Sequence, residues 1–141
     1  MEQRTTRMTA IEKVIALRGT EPFSACRAEE ALRLAAISAE KSFEADQVIF
    51  RIDDPSEACY CLVEGSVLLG GPDGAQRLLE APAAFGLVEI LSDRRRGETV
   101  TVPPGGAARA LAIDAEDLFD LLSNNVEIVR SLFRALLGDR R

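Results

Sequence analysis

Between Lys41 and Asp114 the chain never sustains a helical period. Short apolar runs are instead cut every few residues by turn chemistry, and this excludes most folds. The runs are "KSF" (41–43), "QVIFRI" (47–52), "CYCLVEG" (59–65), "SVLLGG" (66–71), "AQRLLE" (75–80), "ETVTV" (98–102) and "ARALAI" (108–113). Between them lie "EAD" (44–46), "DDPSE" (53–57), "GPDG" (71–74) and "PPGG" (103–106). Proline presets φ at such corners, while Gly and Asp tolerate positive φ. Many short strands at close spacing predict a barrel or sandwich of about eight strands over 38–113. "GPDG" between two apolar runs reads as a hairpin.

Helical signals flank this body. Thr9 is placed to cap a helix carrying Ile11, Val14, Ile15 and Leu17, with Gly19 as its stop. "RAEEALRLAAI" (27–37) repeats the period through Ala31, Leu32, Ala35 and Ala36. Asp114 can cap "AEDLFDLLS", and Asn124 or Asn125 a last helix with Val126, Val129, Leu132, Phe133, Leu136 and Leu137 on one face. The expected organisation is a disordered polar lead (1–8) and a single domain (9–141). Helices occupy 9–37, the β body 38–113 and further helices 114–138, and "GDRR" (138–141) reads as a frayed end or the scar of a domain boundary.

The chain has 141 residues, 47% of them apolar, and a net charge of −6. That suits one folded domain and makes duplex DNA an unfavourable partner for this chain alone. No apolar run approaches the ~18 residues of a membrane span, and a signal-peptide core is lacking, so the expected location is cytoplasmic. Cys26, Cys59 and Cys61 form no even disulfide framework, and Cys59 and Cys61 read as reduced thiols sharing one strand face. The chain has no histidine. This removes the commonest general base and metal ligand, so neither a catalytic group nor a metal site is expected.

The stretch "FEADQVIFRIDDPSEACYCLVEGSV" (43–67) carries more specific information. Phe43, Val48, Ile49, Phe50, Asp54, Tyr60, Glu64, Gly65 and Val67 resemble the pattern of the cyclic nucleotide-binding domain family. Asp46 and Asp53 stand where the family has glycines, and Asp still accepts a left-handed turn. The lead "MTAIEKVIAL" (8–17) is similar to the connector before such domains in larger proteins. The resemblance implies a mainly β fold with flanking helices, a jelly-roll β-roll of the catabolite-activator type.

The family's phosphate cassette begins Phe-Gly-Glu and ends Pro-Arg-x-Ala-Thr-Val. Here the corresponding stretch is "FGLVEILSDRRRGETV" (85–100). The candidate ligand-binding residues are therefore Phe85, Gly86, Leu87, Val88, Arg95, Arg96, Gly97, Glu98 and Thr99. By resemblance, Arg96 would pair with a cyclic phosphate, and N–H groups after Gly86 would complete its cradle. Leu87 replaces the glutamate that accepts from the ribose hydroxyl, a loss of about 1–3 kcal/mol. Arg95 replaces a proline and Glu98 a small alanine. If 96–100 is a strand, Glu98 shares a face with Arg96, can pair with it, and repels a phosphate at about 6 Å by roughly 3 kcal/mol at an effective dielectric of about 20. Together these weaken binding on the order of a thousandfold. "DRRR" (93–96) and Glu89 otherwise read as solvent-facing.

The sequence thus predicts a non-catalytic regulatory module of cyclic nucleotide-binding type, with cyclic AMP or cyclic GMP binding weakened or lost and no cofactor. Two alternatives stay open: a working sensor regulating an attached or associated effector, and a purely structural interaction or homodimerisation module. Reading the chain as a DNA-binding regulator would need roughly 60–70 further residues for a helix-turn-helix.

Overall fold

The computed structural model describes residues 7–138. Thr9 closes a capping box: its hydroxyl accepts from the Glu12 N–H at 3.1 Å, and Glu12 Oε1 accepts from the Thr9 N–H at 2.8 Å. The helix so started, α1 (Ala10–Arg18), ends at Gly19. Its apolar residues divide: Leu17 is fully buried, whereas Ile11 and Ile15 are exposed. A short 3-10 turn, Phe23–Ala25, drives Phe23 into the core before α2 (Ala28–Ala36). In α2 the core is made by Ala31, Leu34 and Ala35, and Leu32 faces outward. Most of the predicted disordered lead (1–8) lies outside the described residues, but the Met8 N–H is tied to Glu40 Oε1 at 2.8 Å.

Among the described residues seven strands follow, against the eight or so expected: β1 (Ser38–Phe43), β2 (Val48–Phe50), β3 (Ala58–Gly70), β4 (Gln76–Glu80), β5 (Ala83–Phe85), β6 (Thr99–Thr101) and β7 (Ala108–Asp114). A short helix, α3 (Leu87–Leu91), lies between β5 and β6. All pairings are antiparallel, in the order β1-β7-β3-β6-β2, with β4 and β5 also on β3. The result is a curled half-barrel with flanking helices, the β-roll architecture expected.

Two predicted strands, 59–65 and 66–71, are one. Gly65 bends β3 without ending it. Its φ is +86°, and a Cβ there would lie 2.0 Å from the Ala107 carbonyl oxygen, so only glycine fits. A bulge between Leu62 and Glu64 accompanies the bend. The inserted residue switches which side chains point inward: Tyr60 and Leu62 before it, Val67 and Leu69 after it. The opposite face of the first half, Cys59 and Cys61, packs under the helices. Two apolar clusters result, one inside the roll and one between the roll and the helices.

The turns behave as their residues dictate. Asp46 (φ 66°) and Asp53 (φ 74°) hold the left-handed positions. "GPDG" closes the β3–β4 hairpin, with the Gly71 N–H donating to the Ala75 carbonyl at 3.0 Å. Asp114 caps α4 (Ala115–Ser123) by accepting from the Glu116 N–H at 3.0 Å. Asn125 precedes α5 (Val126–Leu136) but does not cap it. Its amide instead donates to the Leu121 carbonyl and accepts from Arg33. The buried face of α5 is also rotated from the predicted one: Ile128, Ser131 and Leu132 are inside, while Val126, Phe133 and Leu137 are exposed. Of the C-terminal "GDRR", residues 139–141 lie outside the described residues. No helix among the described residues is long and apolar enough to cross a membrane.

Candidate functional site

Strand β5 delivers Phe85 to the interior, where its ring stacks on Tyr60 at 5.0 Å. The chain then turns at Gly86, whose φ of +85° starts α3. A Cβ at this position would stand 2.8 Å from Arg96 Nη1, so glycine lets the guanidinium approach the backbone. Beyond α3 a loop leads back to β6. An open cavity of about 270 Å³ is lined by Phe50, Leu69, Leu79 and Phe85 of the strands and Leu87, Val88 and Glu89 of α3. Glu98, Arg77 and Leu136 of α5 also line it.

The predicted site residues separate into two groups. Phe85, Gly86, Leu87, Val88 and Glu98 line the cavity; Arg95, Arg96, Gly97 and Thr99 do not. Leu87 is only 3% exposed and packs into the cluster beneath the helices, whereas Val88 is half exposed. The Thr99 hydroxyl accepts from the Ile52 N–H at 3.1 Å, and Arg95 donates to the Asp53 carbonyl at 2.8 Å. Gly97 sits in the exposed loop with open space where a side chain would be.

Arg96 is folded into the protein and is only 3% exposed. Nη1 donates to the Gly86 carbonyl at 2.8 Å, and Nη2 donates to the Ala58 carbonyl. The guanidinium carbon lies 4.0 Å from the centre of the Phe50 ring, and Nε has no partner. Burial lowers its pKa from the ordinary value, opposed first by Glu89 and then by Tyr60, Cys59 and Asp54.

Its carboxylate partner corrects two expectations. Glu89 is not solvent-facing: Oε1 lies 3.7 Å from Arg96 Nη1, with the side chain 23% exposed. Glu98 does not pair with Arg96; it reaches Arg77 at 3.9 Å. The reason is local. β6 begins only at Thr99, so residues 96–98 are loop, and strand alternation does not put Arg96 and Glu98 on one side. The backbone of Arg96 is bonded to Asp53 and Asp54 instead, which turns its side chain inward.

The thiols lie apart from this cavity. Burial pushes Cys59 up to about 12 and Cys26 up to about 11. Cys61 is raised for the same reason, against a hydrogen bond from its thiol to the Thr20 hydroxyl. All three are reduced and buried.

Comparison with known proteins places this geometry. The N-terminal domain of a transcriptional regulator from Streptomyces coelicolor A3(2) superposes with a TM-score of 0.72 at 26% identity, over 86% of this chain and 87% of that one. A Ruegeria pomeroyi DSS-3 protein classed with cyclic nucleotide binders gives 0.75 at 12% identity, over 93% of this chain. The regulatory domain of Toxoplasma gondii PKA, solved with cAMP, gives 0.70 at 13% identity over 86% of this chain. This chain spans 59% and 48% of the last two, and at such identities the likeness is one of fold. No curated protein sequence matches it. The model of the cyclic nucleotide-binding domain matches residues 40–125, which include the whole roll from β2 to β7, the Gly86 turn and the cavity walls of α3. The chain belongs to the cyclic nucleotide-binding domain family.

Proposed function

We propose that this chain is a non-catalytic regulatory module of the family in which binding of cyclic AMP and cyclic GMP is weakened or lost. One observation carries the reading: the only arginine at the cassette's phosphate position, Arg96, is withdrawn behind the cavity wall with two of its nitrogens committed to backbone carbonyls. Leu87 offers no acceptor to a ribose, and Glu98 places a carboxylate on the wall, where it opposes an anion. The buried thiols, with raised pKa values, are poor nucleophiles, which supports a non-catalytic role. The partner on this reading is an attached or associated effector protein, and the acidic chain disfavours DNA.

A working sensor is the second reading, favoured by the cavity that persists between the strands and α3. Calorimetry separates the two. The expected result is no binding heat for cyclic AMP or cyclic GMP with a dissociation constant tighter than roughly 100 µM, a regime of about 5.5 kcal/mol. Micromolar binding would establish the sensor instead.

A further inference from the structure

Arg96 is a buried cation whose surroundings are unfinished. Glu89 is the one carboxylate within 4 Å of it among the described residues, and at 3.7 Å the pair is longer than a charge-assisted hydrogen bond. Nε is buried with no acceptor at all. Three of the residues that touch the guanidinium, Phe50, Gly86 and Glu89, also line the cavity. The cation therefore stands directly behind that wall. The carboxylate nearest to it on that wall belongs to a side chain that is itself 23% exposed and carried on a five-residue helix.

We infer that Glu89 is an internal stand-in for an anionic ligand: its carboxylate neutralises Arg96 in place of a tetrahedral oxyanion and keeps the site filled without one. This rests on the proposed function and deepens it. The module is silent not because it lacks a cation but because its own chain already occupies that cation. A phosphate-like group, with more oxygens than a carboxylate held at 3.7 Å, is the chemical class that would fit once Glu89 is neutral. Its oxygens can take the place of the Glu89 carboxylate opposite Nη1 of Arg96.

The test uses the whole chain and inorganic phosphate as probe, with chloride at matched ionic strength as reference. Glu89→Gln keeps the shape of the side chain and removes its charge. Phosphate should raise the melting temperature of this variant, relative to chloride, by about 5 °C at a concentration tenfold above its dissociation constant. The wild type should show no such difference, since Glu89 already fills the place. If Glu89→Gln folds only when phosphate is present, the inference stands equally. An equal phosphate response in both proteins, no response in the variant, or a variant unfolded in both salts would each overturn it. Failure of the functional reading is seen separately, as cyclic nucleotide binding by the wild type in calorimetry.

Discussion

Replacing Arg96 with methionine tests whether this arginine holds the fold together rather than waiting for a ligand. The substitution leaves the carbonyls of Gly86 and Ala58 without their donors. Hydrogen bonds from a charged group contribute about 1.5–3 kcal/mol each, and stacking over Phe50 adds about 0.5–2 kcal/mol. Against this, methionine covers the ring almost as well and removes the cost of burying a cation whose Nε is unpaired. The balance is a loss of about 2–4 kcal/mol, or a fall in melting temperature of roughly 6–15 °C for a chain of this size. Urea unfolding should show a lower midpoint at an unchanged slope. Arg95→Met is the control, because Arg95 is exposed and gives up a single surface contact, so it should stay within about 0.5 kcal/mol of wild type. If Arg96→Met were as stable as that control, the inward conformation of Arg96 would be wrong, and a ligand-ready arginine would take its place.

Other outcomes follow from the same geometry. Gly65→Ala should destabilise the protein by about 2–4 kcal/mol in denaturant titration, because φ is +86° and the new Cβ meets the Ala107 carbonyl. Native protein at pH 8 should react with a thiol reagent only as fast as it opens, since Cys26, Cys59 and Cys61 are buried; prompt labelling of all three would contradict their placement. The Met8 N–H holds the Glu40 carboxyl below its ordinary pKa, against desolvation and with help from Arg109. A carboxylate depressed in the folded state stabilises above its unfolded pKa, and that contribution disappears as pH falls through the folded value. Glu40→Gln should therefore flatten the acid limb of a stability–pH profile below about pH 4.5 and leave its shape at neutral pH unchanged.

The roll was legible in the sequence because its signals are local. Asp46 and Asp53 at left-handed turns, Gly65 at a close approach and Thr9 with Glu12 at a helix start each report their own backbone. β5 carries no strand signal, because its three residues, Ala83–Phe85, show too little alternation to register as one. The site was less legible. Phe85, Gly86, Leu87, Val88 and Glu98 lie in one contiguous stretch, whereas Leu69, Leu79 and Leu136 come from distant segments and carry no local mark. Helix position alone puts Glu89 at the solvent, because it does not show where a loop will turn a neighbouring arginine. The exposure of Ile11 and Ile15 has the same origin: a helical period states that a stripe exists, not that anything covers it.

The strand β3 pairs with β5 and β7 in its first half and with β4 and β6 in its second, apart from the last β7 contacts at the bend. Its side chains supply the cluster inside the roll and the one beneath the helices. Neither cluster can melt while the other stays formed without breaking this one segment. The amides of Cys59 to Leu69 should therefore be the last in the molecule to exchange with deuterated solvent, and should exchange together, at the rate set by opening of the whole domain.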